Sequence, residues 1–480
     1  MSCSKRHLKR LFKAKKEFYT EQLAVKNEAS VRVRGNDAAT ENIAHCNSFH
    51  STNATREKLP LKNFFRDKIK AWQIKNRIGH KSLRELLFIL KEENLDVPLS
   101  PLVLLDLKNE EVVIEHVPGK YVHLGLKNQI KKIESSVLEF NEIVFDINFD
   151  GLPLFNSSRT QLWPILIRIV NIPNISVFPV GIYKGKQKPS DIDKFLSYFV
   201  NEFQFLKVNG LEPGGKICEL KIRSLICDAP ARAFACGIPH HTSAHGCSKC
   251  TAEANKFRNT LVYPTKVGKI VSDEDFDLRR HIDHHQIGFR TVKTPFEKVN
   301  LKMITQVPLD PMHLIDLGVM KKFLVRILKN KLSYEKRLCV ANKKQISDHL
   351  ESLKIHIPKK FVRLPRSIEQ VAHWKATEFR QFLLYTGILV LKDKVHEDVY
   401  YEFLLLHCAC RLLSCSKNVH SNLKNAEDTL KLFVENFPKI FGDDSVSYNV
   451  HSLLHLADSV KTLGAIQNFS AYDFENYLQN

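Results

Sequence analysis

An α/β fold, interrupted by a long and mainly helical insertion, is what this sequence predicts, and three observations predict it. Ile143, Phe145, Ile147 and Phe149 alternate with Asp146, Asn148 and Asp150, the period of a strand with one buried face. Ile192, Phe195, Leu196, Phe199, Val200 and Phe203 recur at helical spacing and mark an amphipathic helix among strand-like runs. Through 251–445 the apolar stripes are helical, as in Phe379, Phe382, Leu383 and Ile388, or Tyr401, Leu404, Leu405 and Cys408.

The elements follow in order. Residues 1–58 are polar and lack periodic apolar positions, so a disordered basic and polar arm is expected there. Its basic cluster at 5–16 suits a nuclear import signal or a DNA contact. Across 59–115, Phe64, Phe65, Ile69 and Trp72, then Leu83, Leu86, Leu87 and Leu90, predict a small helical region. The first part of an α/β core spans 116–245. Within it Asp150-Gly151 signals a turn, and the apolar runs 162–170 and 175–183 complete a three-stranded meander. Ser190 with Asp193 reads as a capping box for the amphipathic helix, which Gly210 ends, and 217–227 reads as a further strand that delivers Asp228. Three strands, a helix and a fourth strand form the order of an RNase H-like core. In that fold the first and fourth strands are neighbours, so by fold analogy Asp150 meets Asp228. The helical insertion occupies 246–445, and 446–480 closes the chain.

Composition narrows the function. Among 480 residues, 72 Lys and Arg stand against 52 Asp and Glu, a net charge of +20 that points to a polyanionic partner, nucleic acid first. A cationic surface that only aids solubility is the bland alternative. The nine cations Lys321, Lys322, Arg326, Lys329, Lys331, Lys336, Arg337, Lys343 and Lys344 fall close together and read as a solvated helix face or a DNA-facing surface. Eleven cysteines without regular spacing, and an N-terminus with charge but no apolar segment, predict a reducing compartment. No window reaches the length of an apolar membrane span.

Three groups of residues carry chemistry. Asp150 and Asp228 stand at predicted strand ends, where a fixed backbone can aim carboxylates at a magnesium or manganese ion. Cys247-x-x-Cys250 has the spacing of a zinc half-site, and His451 and His455, four residues apart, share one helical face. Spacing alone leaves those two pairs unjoined, because their separation is far from that of a zinc finger. Ser470 and Asp473 read as a second capping box with Phe469 and Phe474 as its staple, which starts a helix carrying Glu475. Three carboxylates are what a two-metal phosphoryl-transfer site needs.

The motifs FDGLPLF at 149–155 followed by LWPIL, GKYVHLGLK upstream, CDAPARAF followed by HGCSKC, PMHLIDLGV from Pro311, HWKATEFRQFLLYTG from His373, and VHSLLHLAD leading into FENY resemble one family. It is the transposases of the CACTA (En/Spm) group of cut-and-paste DNA transposons, within the set that includes Mirage and Chapaev elements. The resemblance runs from about Leu61 to the end. It implies an RNase H-like catalytic core with the insertion before its last acid, and a DDE triad that maps onto Asp150, Asp228 and Glu475, holding Mg2+ or Mn2+. Asp146 rivals Asp150, and the family's Asp-Gly step favours Asp150. It also implies that Cys247 and Cys250 join His451 and His455 on one structural Zn2+. His313 and Asp316 are kept as neighbours of the site. The implied activity is cutting and joining of DNA at transposon ends and target by a homo-oligomer in the nucleus. The chain ends five residues after Glu475, so a shortened transposase is expected. A transposon-derived DNA-binding protein without catalysis is the alternative.

Overall fold

The computed structural model describes residues 61–76, 78–105, 113–116, 118–153, 159–211, 217–329 and 331–479. The predicted arm at 1–58 lies outside them. The chain divides into two compact units, Met1–Lys108 and Asn109–Asn480. In the first, helices α1 (Leu61–Asn76) and α2 (His80–Glu92) close on a small core of Ile69, Leu83, Leu87, Val97 and Leu104. Of the periodic positions, Phe65 and Trp72 stay about two-fifths exposed, since this unit buries only one narrow stripe.

The second unit is mixed α/β. Its main sheet contains β1 (Val113–His116), β2 (Gly119–His123), β3 (Glu142–Phe149), β4 (Leu152–Pro153), β5 (Gln161–Ile169), β6 (Phe178–Gly185) and β7 (Glu219–Leu225). The strand order is β1-β2-β6-β5-β3-β7, with β4 paired to β5. Strands β3, β5 and β6 form the predicted antiparallel meander, and β7 lies parallel to β3 on its other side. A parallel partner needs a crossover, which α3 (Ile192–Asn209) supplies. Strands β1 and β2 extend the sheet beyond β6. A small separate hairpin, β8 (Asn255–Phe257) with β9 (Thr260–Val262), precedes the helices of the insertion.

Helix α3 buries Phe195, Phe199 and Phe203 against Phe145, Ile147 and Phe149 on one sheet face. Its cap differs from expectation. Asp191, not Ser190, accepts the Lys194 N–H, at 3.1 Å, while Asp193 is drawn into an ion pair with Lys298. Gly210 ends the helix at φ 78°, a conformation that favours glycine.

The opposite sheet face is also buried, contrary to the one-faced pattern of the alternation. Asp146 is 0% and Asn148 4% exposed, because the insertion and the C-terminal residues cover them. Polar groups survive there by being bonded. Asp146 accepts from Arg168 of β5 and from Arg223 and Ser224 of β7. The main helical core packs α5 (Glu397–Ser414) against α6 (Val419–Phe441) through residues such as Phe403, Leu406, Phe433 and Phe437, with α4 (Ala229–Cys236) lying earlier in the chain, directly after Asp228.

Candidate active site and metal centre

Parallel pairing fixes the first two acids. Asp146 aligns with Ser224 and Ile147 with Leu225, and beyond the strand the Ile226 N–H still bonds the Ile147 carbonyl at 2.9 Å. Asn148 Nδ2 donates to the Ile226 carbonyl at 2.8 Å. Continued in the same register, Asp150 stands opposite Asp228. Both therefore leave the C-terminal ends of adjacent parallel strands at one level, where crevices form in such sheets. Asp150 Oδ1 accepts the Gly151 N–H at 2.6 Å, and Asp228 caps α4 by accepting the Ala231 N–H at 2.7 Å.

The third acid arrives on α9 (Tyr472–Gln479), after α7 (Tyr448–Ser452) and α8 (Leu456–Leu463). Electrostatics tie the three together. Burial first, then the charges of Asp228 and Glu475, hold the Asp150 carboxyl up at about 7 against the pull of the Gly151 N–H and of His313. Glu475 is also raised by burial, lowered by His313, and raised by Asp310 and Asp228. The charge of Asp228 thus disfavours ionisation of both Asp150 and Glu475.

His313 faces the same group. Burial alone would lower it, but a 2.6 Å hydrogen bond to Asp310, with the charges of Asp228 and Glu475, raises it to about 9. His313 and Asp310 line a small open cleft with Asp228, Arg232, Tyr448 and Asn449. Asp310 was missed by sequence reasoning. Its signal was legible: an Asp immediately before Pro311, the pairing of a helix cap with a proline at the first helical position.

Asp146 is accounted for differently from Asp150. Its carboxylate is saturated by two arginines and a serine, and one of these, Arg168, continues to the C-terminal segment. Arg168 reaches the Asn468 carbonyl at 2.7 Å and Asp473 at 2.7 Å. Asp473 is thus an ion-pair partner rather than half of a capping box, and Ser470 Oγ is buried without a hydrogen-bond partner. The N-terminus of α9 is held instead by Asp310, whose Oδ1 accepts the Ala471 N–H at 2.8 Å.

Cys247, Cys250, His451 and His455 converge although they come from two distant stretches of chain. All four are buried, with their ligand atoms within 4.8 Å of one another. The two sulfurs are 3.7 Å apart, Cys250 Sγ is 3.4 Å from His451 Nε2 and Cys247 Sγ is 3.6 Å from His455 Nε2. Tetrahedral zinc, with its usual bond lengths, sets about 3.7 Å between thiolates and about 3.5 Å between thiolate and imidazole nitrogen. His451 Nδ1 is oriented by the Pro264 carbonyl at 2.8 Å, as ligating histidines are. The residues fit a metal such as zinc.

A short chain of contacts links the two sites. Arg232 of α4 donates to Tyr448 Oη at 2.6 Å, and Tyr448 opens the helix that carries His451. Lys249, between the cysteines, holds the carbonyls of Ile304 and Val307, just before Asp310.

The basic run is partly internal. Arg326 bonds the Phe441 carbonyl and Asp444, Lys336 pairs with Asp398, and Lys343 bonds the Leu328 carbonyl. Lys329, Lys331, Arg337 and Lys344 remain exposed. In comparisons with known proteins, no family model and no curated protein matches the chain, so the geometry of the two sites carries the functional reading.

Proposed function

We propose that the chain is a DNA transposase of the CACTA type, which cleaves and rejoins DNA phosphodiesters with a DDE triad of Asp150, Asp228 and Glu475. One observation supports the reading: Asp150 and Asp228 follow the ends of two adjacent parallel strands, and the charge of Asp228 acts both on Asp150 and on Glu475 of α9. The order third-second-first-fourth of β6, β5, β3 and β7, with the first and fourth parallel, supports an RNase H-like core.

In this reading the three acids hold Mg2+ or Mn2+. Such ions, when bound, activate the attacking oxygen and stabilise the leaving one. The chain's own part is to fix the carboxylates on rigid elements and to keep the cleft narrow. Cys247, Cys250, His451 and His455 hold a structural Zn2+ that fastens both ends of the insertion beside the core, with no position left for water. The exposed cations bind the phosphates of transposon ends and target DNA, in the nucleus and as a homo-oligomer on DNA.

The test is incubation of the purified chain with Mg2+ or Mn2+ and duplex DNA carrying the inverted repeats that flank its coding sequence. Strand cleavage that Asp228→Ala abolishes is expected. Absence of cleavage by the unaltered chain, or cleavage indifferent to that substitution, leaves the alternative of a non-catalytic DNA-binding protein.

A further inference from the structure

The segment from Asp310 to Met320 is unusual in its backbone and in its contacts. Met312–Met320 is π-helical, a rare widened form that is frequent at functional sites. It is buried along most of its length, and Gly318 lets it approach Asn449 of α7, since a Cβ there would stand 2.6 Å from the Asn449 side-chain nitrogen. The segment that leads into it is fastened beside β7: the Leu225 N–H bonds the Gln306 carbonyl, and the Gln306 side chain bonds the carbonyls of Ile222 and Arg223.

Two carboxylates of this segment reach the start of α9. Asp310, 2% exposed, uses both oxygens: Oδ1 accepts from Met312 N and Ala471 N, and Oδ2 accepts from His313 N and His313 Nδ1. Asp316, 5% exposed, accepts the Tyr472 hydroxyl at 2.8 Å. Arg380 lies over the Tyr472 ring, 5.2 Å from its centroid. Glu475 lies one turn further along, its N–H bonded to the Ala471 carbonyl at 2.9 Å. The residue that Asp310 grips is thus the one on which the first turn under Glu475 is built.

We infer that Asp310 and Asp316 are positioning residues for Glu475, which fix the first turn of its helix against the π-helical segment and so set where the third carboxylate stands. The inference rests on the metal-binding reading of the three acids. Neither aspartate needs to touch the ion. The orientation of His313, which lines the cleft beside Asp228, is set by the same Asp310 carboxylate. The start of this eight-residue helix is held by buried Phe474, by Arg168 at Asp473 and by Asp310 at Ala471, and Asp310 is the one of these that also orients His313. A misplacement of about 1 Å in such a ligand is enough to impair a metal site.

The experiment uses the full chain with Mn2+ as the probe, bound manganese being read by electron paramagnetic resonance, together with amide hydrogen exchange. Asp310→Asn keeps the shape but turns an NH2 towards donors whichever way it is rotated. Tyr472→Phe removes only the hydroxyl that Asp316 accepts. Both variants are expected to keep their zinc, and Tyr472→Phe its unfolding midpoint, while Mn2+ affinity falls about tenfold or more in each, the effect usual for residues that orient metal ligands. The Ala471 and Glu475 amides should exchange faster in Asp310→Asn. Wild-type Mn2+ affinity in both variants overturns the inference. Should the unaltered chain bind no Mn2+, or bind it equally after Asp228→Ala, the metal-binding reading falls by itself. Exchange at Ala471 and Glu475 then decides whether Asp310 holds the helix: unchanged rates overturn that, faster rates carry it.

Discussion

Arg168 joins Asp146, buried on β3, to Asp473 on α9, with guanidinium contacts of 2.8 Å to one and 2.7 Å to the other. The relationship explains why an acid that competes with Asp150 in the sequence has no part in the carboxylate cluster. Asp146 is spent on holding two arginines, and both arginines reach the Asn468 carbonyl ahead of α9.

Arg168→Leu should therefore be costly. It leaves a carboxylate that is 0% exposed with one arginine fewer, and removes the tether to the C-terminal segment. Breaking a buried pair on one side costs about 3 kcal/mol. Asp473→Ala removes only the half-exposed arm of the network and should cost less than about 1 kcal/mol. Denaturant unfolding of the two variants side by side measures the contrast, and equal losses would contradict the assignment of Asp146 as the anchor.

Zinc is the second expectation. One equivalent should be found by metal analysis, and Cys247→Ser or His451→Ala should lose it, since each removes a ligand from a closed four-ligand site. Strong chelators should lower the unfolding temperature of the unaltered chain and leave that of the variants unchanged. Full zinc in Cys247→Ser would remove this site.

The mixed α/β character and the two metal half-sites were legible in the sequence for a physical reason: strand alternation, the α3 stripe and the two-residue ligand pairs are local patterns with a fixed period, whereas the joining of the half-sites came only from the family resemblance. The pairing of β3 with β7 came from fold analogy, and the register that sets Asp150 against Asp228 is visible only in the structure. What failed was capping. Ser190 and Ser470 both fit the pattern, yet the next residue, Asp191, caps the first helix with its carboxylate, and at the second a tertiary contact from the distant Asp310 takes the place of the local hydroxyl. The burial of Asp146 was equally hidden, since a polar residue on an alternating strand looks solvent-facing until its arginines are known.

Asp150 should behave as a strained functional group. Without metal its charge is opposed by burial and by Asp228, so Asp150→Asn should raise metal-free stability at pH 8 by about 1–2 kcal/mol. The same variant should lose the stabilisation that added Mg2+ or Mn2+ gives the unaltered chain. Thermal melts with and without 10-fold steps of metal test both halves, and a destabilised metal-free variant would contradict the charge repulsion.

The pH dependence of stability has a separate source in Asp316. Burial lifts its carboxyl to about 7, partly opposed by the Tyr472 hydroxyl and by Arg380. The unfolded chain releases this proton near pH 4, an ordinary aspartate value. Between about pH 4 and 7 the folded protein therefore binds more protons at Asp316 than the unfolded chain does, and stability contributed there falls as pH rises, by at most about 1.4 kcal/mol per pH unit. Above about pH 7 both states are ionised and the slope vanishes. Other raised acids, Asp150 and Glu475 among them, tilt the curve the same way. The contribution of Asp316 is isolated by the difference between the unaltered chain and Asp316→Asn, whose side-chain oxygen can still accept the Tyr472 hydroxyl. That difference should widen in favour of the variant from pH 4 to pH 7 and stay constant above. A difference that is flat across the window would mean that Asp316 ionises normally in the folded protein.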